Sequence, residues 1–415
     1  MISVNKQIGP ASAVLVALAL LTAACSSDDN SATSTAATAA PSTIGTTADS
    51  TAGSTAPTTA DSTAGTTAAT TAATTGDTAA AGAGEISAER CAENKAVGTI
   101  TYLSSFDFAA TPSIVDVVVA KDKGYFEDLC LDVEMRPGFS TNNYPLIAAN
   151  EAQFSSAGNY TEILNYSKDG AEFLALVDYG KVPVEALVTP EGGATTLADL
   201  QGKTIGVKGD IPPSIVALLA SAGLVRGTDY KEILLDGYDP VAQLSSGIDA
   251  LPVYKSNEPG QLDAAGVKYN IFDPAAEDIP GSFGLLYTSK GFAADHPTAT
   301  EDFIRAALKG MEDTIADPDG AVAASVAAID AAGNQNYLTE AGERYRLGEE
   351  LQLVQDGTPS GEPIGLIDPA VFDAEYAAYV DAGVWPDGAP KDGKYYDTKL
   401  AAGLYGTDGK VTWPG

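Results

Sequence analysis

The 415-residue chain has few of the side chains on which most enzyme chemistry depends. It contains one histidine, three cysteines and two tryptophans. The histidine, His296, stands in an Asp-His-Pro-Thr sequence typical of a helix entrance, so no Ser/His/Asp or Cys/His pair is expected to act as nucleophile and base. The cysteines form no CxxC motif and no cluster with histidine, which argues against a zinc site. We therefore expect no catalytic residue, no metal and no cofactor.

Basic residues are also scarce. The chain holds 23 lysines and arginines against 56 aspartates and glutamates, a formal net charge of −33. Almost all of this acidic excess lies in residues 85–415. Nucleic acid and anionic lipid headgroups are poor partners for such a surface, because like charges repel. An acidic surface is typical of solubility outside the cell.

No hydrophobic run is long enough to span a bilayer comfortably. The run from Ile8 to Leu21 follows the single charge of Lys6 and is of signal-peptide length. Leu-Thr-Ala-Ala-Cys-Ser comes next and resembles a lipoprotein cleavage box, which predicts a signal peptide over 1–24 and lipidation of Cys25. The resemblance implies an extracytoplasmic protein anchored to the cell membrane by lipid. The alternative is an ordinary signal peptide followed by a chance cysteine.

Large apolar residues are nearly absent from residues 25–88. This stretch is almost entirely Ser, Thr, Ala and Gly, and Ile44 is its one large aliphatic residue before Ile86. Such a composition cannot bury a core, so we predict a disordered tether. Its root-mean-square reach would be about 40–45 Å.

Two cysteines remain once Cys25 is assigned to lipid. Cys91 precedes the first predicted strand and Cys130 precedes the second, so both should lie near the same edge of a sheet. In an oxidising compartment an even pair predicts a disulfide. The alternative is two free thiols.

The predicted folded part is organised around residues 98–140. Ile100 and Tyr102 alternate as in a strand, a helix is predicted over 112–122 with Gly124 as its C-terminal cap, and 131–135 forms the next strand. This is a β-α-β unit with parallel strands. Further strands are predicted at 153–157, 173–177, 204–207, 233–235, 252–254 and 282–289.

Several short sequence motifs resemble those of a known family. Lys-Gly-Tyr-Phe-Glu at 123–127 and Leu-Asp-Val at 131–133 resemble the "GYF…GLDVE" segment of ABC-transporter substrate-binding proteins. Residues 196–207, TLADLQGKTIGV, resemble the "sLaDLkGKkIgv" segment of type II periplasmic-type binding proteins. Gly-Ile-Asp-Ala at 247–250 resembles a further short motif of the family. The branch takes in receptors for nitrate, taurine, alkanesulfonates and thiamine pyrimidine precursors. The Asn-Glu-Pro at 257–259 is more similar to the pyrimidine branch.

The resemblance implies an α/β fold of two lobes, the type II periplasmic-binding-protein fold. Each lobe would be a mainly parallel sheet flanked by helices. Lobe 1 would comprise 89–188 and 283–415, and lobe 2 would comprise 189–282. Two hinge strands are expected near 183–190 and 279–286. The tail beyond Trp385 is expected either to wrap lobe 1 or to form a small hairpin.

Ligands of open α/β sheets bind beyond the carboxyl ends of the strands. Applied to the predicted strands, this rule selects a set of aromatic, amide and acidic residues with a single lysine and no arginine. The predicted ligand-binding residues are Ser104, Phe106, Asp107, Phe108, Ser140, Asn142, Asn143, Asn159, Tyr160, Tyr179, Lys208, Asp210, Tyr254, Asn257 and Glu258. For any one of them, a role as a local turn or cap is an equal alternative.

The chemistry of this set favours a flat, amino-bearing ring. Phe106 or Tyr160 would stack on the ring, Glu258 or Asp107 would accept from its N–H groups, and an asparagine would orient it. Sulfonate and nitrate are disfavoured, because Asp107, Asp210 and Glu258 would repel an anion.

The predicted function is capture of a small heteroaromatic ligand, such as a thiamine pyrimidine precursor, for an ABC permease by a monomeric receptor. A riboflavin-like, nitrate or sulfonate receptor is the alternative. The resemblance extends to fungal pyrimidine-synthesising enzymes, but their His, Lys and Cys-rich motif has no counterpart here. A structural adhesin would account for the tether and not for two lobes.

Overall fold

The computed structural model describes residues 86–167, 170–391 and 393–414. The predicted signal peptide, the lipidated Cys25 and the tether up to residue 85 lie outside the described residues and stay predictions. Within these ranges, no helix is both long and apolar enough to cross a membrane.

The described chain alternates strands and helices until residue 289 and is helical beyond it. The strands are β1 (Thr99–Leu103), β2 (Asp132–Arg136), β3 (Phe154–Ala157), β4 (Phe173–Gly180), β5 (Glu185–Pro190), β6 (Thr204–Val207), β7 (Lys231–Leu234), β8 (Leu251–Tyr254), β9 (Tyr269–Phe272) and β10 (Phe283–Ser289). The helices are α1 (Ala88–Ala96), α2 (Val115–Asp122), α3 (Tyr125–Asp128), α4 (Ser140–Ala148), α5 (Tyr160–Ser167), α6 (Pro213–Ser221), α7 (Pro240–Ser245), α8 (Glu258–Ala264), α9 (Lys290–Asp295), α10 (Pro297–Ala316), α11 (Pro318–Ala332), α12 (Glu340–Gly357), α13 (Pro369–Asp381) and α14 (Leu400–Gly403). Short 3₁₀ turns occupy Leu197–Leu200 and Pro274–Glu277.

The larger sheet has the strand order β2-β1-β3-β10-β4. β1 runs parallel to both β2 and β3, and Thr99 lies opposite Asp132. The predicted parallel β-α-β unit is thereby confirmed. β10 returns from the other half of the chain and runs antiparallel to β3 and β4. We call this sheet and the helices around it lobe 1.

The crossover helix α2 begins at Val115, three residues later than predicted. Ser113 has a φ of +74°, which no helix accepts, so the turn before the helix extends past Pro112. Residues 115–120 are all buried. Gly124, with a φ of +78°, ends the helix as expected, because only glycine enters this region without strain.

The second half of the fold is built on β5 to β9. β6 and β7 pair in parallel, β5 pairs antiparallel with β8 and β9, and a bridge between Ile205 and Ala250 joins the two groups. Helix α6 packs its Ile215, Leu218 and Leu219 into the core of this unit. We call it lobe 2. The names lobe 1 and lobe 2 refer from here on to these groups of strands, so β5 counts with lobe 2 although the predicted boundary placed 185–188 in lobe 1. The predicted residue boundaries themselves stay a prediction.

The chain passes twice between the two groups of strands, over 181–184 and 273–282. At the first passage Gly180 lies under the ring of Phe283, where a Cβ would overlap the ring. The second passage includes Ser282, which is buried. The predicted hinge segments near 183–190 and 279–286 adjoin these passages, and their motion stays a prediction.

Helix α1 is an element that the sequence analysis does not anticipate. Ser87 caps it by accepting a hydrogen bond from the backbone of Arg90. A disulfide joins its Cys91 to Cys130, with the two Cα atoms 5.3 Å apart, so the predicted bond is confirmed. Asn94 on the same helix donates to the carbonyl of Leu129 at 2.8 Å.

The segment beyond residue 385 both packs along lobe 1 and forms a small hairpin, although these two arrangements were expected as alternatives. It adds to the free edge of β4, where the N–H of Ala175 donates to the carbonyl of Tyr395 at 2.7 Å. Further on it forms a small hairpin that pairs Tyr405 with Val411. Trp413 then packs against Tyr125, with ring centroids 4.9 Å apart.

Candidate functional site

The loops after β1 and β2 form the lobe 1 side of the candidate site, and buried polar contacts fix them. Asn143 donates to the carbonyl of Ser104 at 2.8 Å and to the hydroxyl of Ser155 at 3.0 Å. The hydroxyl of Ser104 accepts from the N–H of Gly138 at 3.2 Å. The polar groups of Ser104 and Asn143 therefore hold these loops together.

Phe106 is the aromatic ring that these loops present. It is half-buried, and its ring meets that of Phe139 edge to face at 5.7 Å between centroids. The guanidinium carbon of Arg346 lies 5.8 Å from the Phe106 centroid. A half-buried ring with one cationic and one aromatic neighbour has surface left for a ligand.

Glu162, in the first turn of α5, adds a carboxylate that the sequence analysis missed. It accepts from the N–H of Gly158 at 3.2 Å and from the hydroxyl of Tyr144 at 3.3 Å. Burial raises its pKa, and the nearby charge of Glu185 raises it further. Two of the predicted residues hydrogen-bond to Glu162. The side-chain oxygen of Asn159 accepts from the backbone N–H of Glu162 at 3.0 Å, and Ser140 hydrogen-bonds to the Glu162 side chain.

Glu185, at the start of β5 of lobe 2, lies near enough to Glu162 for its charge to act on that carboxylate. It is buried and accepts from the hydroxyl of Ser214 at 3.0 Å. Burial raises its pKa, while the positive charge of Lys255 acts in the other direction. Among the residues that the structure describes, no lysine or arginine forms an ion pair with Glu162 or Glu185.

Tyr254, at the end of β8, lies next to both of these carboxylates. Burial of its hydroxyl raises its pKa, and the charges of Glu185 and Glu162 raise it further. Even so, the residue keeps 47% of its surface exposed. Its hydroxyl is therefore crowded by acidic groups while part of its surface remains open to a ligand.

Lys208 and Glu258 lie together at this side, but they occupy each other. The ammonium of Lys208 forms an ion pair with one oxygen of Glu258. The other oxygen accepts from the N–H of Tyr254 at 2.9 Å, and Glu258 is only 2% exposed. Glu258 begins α8 instead of lying in a loop, so its predicted role as the acceptor for a ligand needs revision.

Helix α12 brings further charged groups that the sequence analysis missed. Arg346 donates to Asn257 at 3.2 Å and to Glu343 at 3.3 Å. Glu350 accepts from the hydroxyl of Ser256 at 2.6 Å, and burial raises its pKa. The set selected from the strand ends contains no arginine, because the rule of strand ends cannot select a residue in the middle of a helix.

Three of the predicted aromatic residues lie in the hydrophobic core instead. β4 continues to Gly180, so Tyr179 is a strand residue, and its hydroxyl donates to Asp116 at 2.6 Å. Tyr160 is stacked on Phe372 of α13, with ring centroids 4.0 Å apart. Phe108 packs in the apolar cluster around α2. These residues are correctly placed near strand ends but have no surface for a ligand.

The remaining predicted residues have local roles or none that the structure assigns. Asp107 is buried with a φ of +49° and accepts from the N–H of Phe108 at 2.9 Å. Asp210 is exposed and pairs with Arg226. Asn142 is exposed on α4. Asp107 is therefore held within its own loop and Asp210 by Arg226, so neither carboxylate is without a partner.

A separate groove of about 360 Å³ lies on lobe 1 between α2, α10 and α11. Its walls include Val119, Asp122, Asp313 and Ala321. None of the predicted site residues lines it, and it does not adjoin the carboxyl ends of the strands. Nor does any group of three His, Cys, Asp or Glu residues in the described ranges suit a metal ion.

Comparison with known proteins identifies the family of this chain. A family model described as "NMT1/THI5 like" matches residues 111–321, about half of the chain. The chain belongs to the NMT1/THI5-like family. Helices α12 and α13 lie outside the matched part, so the Arg346 and Glu350 side of the site lies beyond the family match.

Two curated relatives of this NMT1/THI5-like chain have names that state a ligand. A riboflavin-binding protein of Chloroflexus aurantiacus is 33% identical over 150 residues, which cover 34% of this chain and 41% of the relative. A formylaminopyrimidine-binding protein of Halalkalibacterium halodurans is 28% identical over 278 residues, which cover 64% of this chain and 80% of the relative. The chain thus spans less than half of the riboflavin-binding relative.

Solved structures confirm the fold. The aliphatic sulphonate-binding protein SsuA of Escherichia coli superposes with a TM-score of 0.54 at 14% identity, covering 72% of this chain and 90% of that protein. A protein of Bordetella bronchiseptica RB50 reaches a TM-score of 0.56 at 19% identity, covering 73% and 96%. The NMT1/THI5-like chain therefore has the two-lobe periplasmic-binding-protein fold, as the sequence indicates.

Proposed function

We propose that the protein is the substrate-binding component of an ABC importer and that it closes its two lobes around a flat, amino-bearing heteroaromatic ring. A thiamine pyrimidine precursor is the ligand class that fits best. The ligand would then pass to a permease. Lipid on Cys25 would hold the receptor, a monomer, at the outer face of the cell membrane.

One observation carries the choice of ligand. Glu162 on lobe 1 and Glu185 on lobe 2 are close enough that the charge of Glu185 raises the pKa of Glu162, neither forms an ion pair among the described residues, and both charges act on Tyr254. Buried carboxylates need hydrogen-bond donors, and the N–H groups of an aminopyrimidine supply them. The same carboxylates disfavour a sulfonate or nitrate.

The aromatic residues support a flat ligand. Phe106 on lobe 1 and Tyr254 on lobe 2 each keep open surface, and a ring between them would gain stacking contacts on both faces. The relative named for formylaminopyrimidine, which matches 64% of this chain, supports the same class.

A riboflavin-like ligand is the second candidate, because the riboflavin-binding relative is the more identical of the two over its shorter match. A flavin is also flat and offers an N–H donor, but it is uncharged and carries a long polar chain. The two candidates therefore differ in size and in the charge that they bring to the carboxylates.

Native mass spectrometry of the protein purified from its source would reveal a bound small molecule directly. A thermal-shift screen would follow, with formylaminopyrimidine, an aminopyrimidine alcohol, thiamine, riboflavin, taurine and nitrate. We expect stabilisation by a pyrimidine at submillimolar concentration and none by taurine or nitrate.

Stabilisation by riboflavin alone would transfer the proposal to the second candidate. No stabilisation by any pyrimidine or flavin at millimolar concentration would show that the ligand class is wrong.

A further inference from the structure

Helix α12 connects the lobes through side chains on one of its faces. The hydroxyl of Tyr345 donates to the carbonyl of Lys255 at 3.2 Å, and the ring of Tyr345 covers Gly260 in lobe 2. Glu350 accepts from Ser256 of lobe 2 with one oxygen and from Thr111 of lobe 1 with the other. The helix therefore bonds both to the loop after β1 and to the turn after β8.

Arg346 is the residue of α12 that touches a candidate ligand-binding group on each lobe. Its guanidinium lies 5.8 Å from the ring centroid of Phe106 on lobe 1 and donates to the amide oxygen of Asn257 on lobe 2 at 3.2 Å. It is 8% exposed, so the surrounding residues restrict it to this position. Few side chains other than a planar guanidinium can stack and donate at the same time.

Carboxylates of the same helix hold Arg346 in place. Glu343 accepts from its Nε at 3.3 Å and from the N–H of Ala110 at 2.7 Å. The charge of Glu350 also interacts with it. Because Glu343 and Glu350 are in turn bonded to Ala110 and Thr111, the position of the guanidinium is tied to the loop that carries Phe106.

We propose that Arg346 is a positioning residue that sets the Phe106 ring and the Asn257 amide at the separation and orientation that a flat ligand requires. This inference rests on the proposed function and deepens it, because it makes ligand affinity depend on a helix beyond the family match. Arg346 itself does not need to touch the ligand.

Three variants test the proposal. Arg346→Met removes the charge and the planar donor, and Arg346→Lys keeps a charge among the carboxylates but loses the planar donor. Arg344→Met is the matched control, since Arg344 lies on the same helix, is exposed and pairs with Glu340 and Asp319. Each variant is assayed by thermal unfolding, by calorimetric titration with the ring that stabilises the wild type, and by hydrogen–deuterium exchange without ligand.

We expect Arg346→Met to weaken ring binding at least tenfold and Arg344→Met to change it less than twofold. Arg346→Lys should recover the melting temperature of the wild type but not its affinity, a split that a purely structural role would not produce. If Arg346→Lys recovered both, or if Arg346→Met lost stability and kept its affinity, the proposal would be overturned.

Hydrogen–deuterium exchange tests the positioning role of Arg346 without depending on the identity of the ligand. Without ligand, Arg346→Met should speed exchange in both 104–111 and 254–257, and Arg344→Met in neither. If the wild type bound none of the rings, the proposed function would fail by itself. Unchanged exchange in either segment of Arg346→Met would overturn the positioning role even if the wild type bound a pyrimidine.

Discussion

At the scale of single residues, two carboxylates of the candidate site form no ion pair within the described residues, although the charge of Lys255 acts on Glu185. Glu258 has Lys208 and Asp210 has Arg226, so these charges are balanced within the chain. Glu185 is buried and Glu162 is half-buried, and the hydrogen bonds that they accept come from hydroxyl and amide groups. Removing a carboxylate from water without enough hydrogen-bond donors is unfavourable. A ligand that places N–H donors between the two carboxylates would offset this unfavourable free energy.

Removing either unpaired carboxylate should weaken ligand binding. Because loss of a hydrogen bond to a charged acceptor costs about 1.5–3 kcal/mol, Glu162→Gln and Glu185→Gln should each lower the affinity for an aminopyrimidine roughly ten- to a hundredfold. Isothermal titration calorimetry measures this. Glu191→Gln, an exposed glutamate just after β5, serves as the control, and equal affinities for all three variants would contradict the assignment.

Glu375 is a buried carboxylate that acts on stability. It accepts from Thr161 of α5 and from the hydroxyl of Ser282 at 2.6 Å, and burial raises its pKa to about 7. The folded state therefore holds its proton more tightly than the unfolded state does. Its contribution to stability is fully present below the unfolded pKa, near 4.5, and is lost as the pH rises through about 7.

We expect the free energy of unfolding to fall between pH 5 and pH 8, with a contribution from Glu375 on the order of 3 kcal/mol. Glu375→Gln should flatten this slope and match or exceed the wild type at pH 8. Asp373→Asn, at an exposed position of the same helix, should leave the slope unchanged. Urea denaturation across this pH range is the measurement, and an unchanged slope in Glu375→Gln would refute the explanation.

The residues at the ends of strands could be selected from the sequence, and Phe106, Tyr254 and Asn257, which were selected in this way, lie among the groups of the candidate site. Tyr179 was misjudged because β4 is longer than its apolar run suggests. Tyr160 was misjudged because the ring that covers it, Phe372, lies more than 200 residues away. Long-range packing of this kind leaves no local signal in the sequence.

At the scale of elements, three helices hold together parts of the fold that are distant in sequence. α12 bonds to the loop after β1, α13 bonds through Glu375 to α5 and to the second passage between the lobes, and α1 is joined to the start of β2 by the disulfide. The β-α-β order and most strands could be predicted from local periodicity. The places of α12 and α13 could not be predicted, because the sequence of a helix does not show which distant segment of the chain it packs against.

The disulfide should contribute measurably to stability. Cys91 and Cys130 are 39 residues apart, and closing a loop of this size stabilises by about 4 kcal/mol in the chain-entropy model. The double variant Cys91→Ser/Cys130→Ser should unfold at lower urea concentration, and reductant should destabilise the wild type but not the variant. Intact mass after alkylation without reduction gives a second check, since two labelled thiols on the folded part would contradict the bond.

At the scale of the whole molecule, the two carboxylates stand one on each lobe, Glu162 on lobe 1 and Glu185 on lobe 2, and the charge of Glu185 acts on Glu162. Under the proposed function, a ligand that donates to both carboxylates would offset this repulsion. The ligand would thus favour the closed arrangement, because it interacts with both carboxylates only when the lobes are together.

Ligand binding should therefore make the protein more compact. Small-angle scattering of residues 86–415 should show a smaller radius of gyration with a saturating pyrimidine than without it. The variant Glu162→Gln/Glu185→Gln should lose the mutual repulsion and show a smaller difference. A radius of gyration that is the same with and without bound ligand would count against closure of the lobes.

The central claim is that the cleft accepts a flat, amino-bearing ring and excludes anions. Calorimetric titration of the wild type with formylaminopyrimidine and, separately, with taurine and nitrate tests this most directly. We predict a dissociation constant at or below about 1 µM for the pyrimidine, equivalent to roughly −8 kcal/mol, and no measurable heat of binding for either anion. Micromolar binding of taurine or nitrate, with none of the pyrimidine, would contradict it.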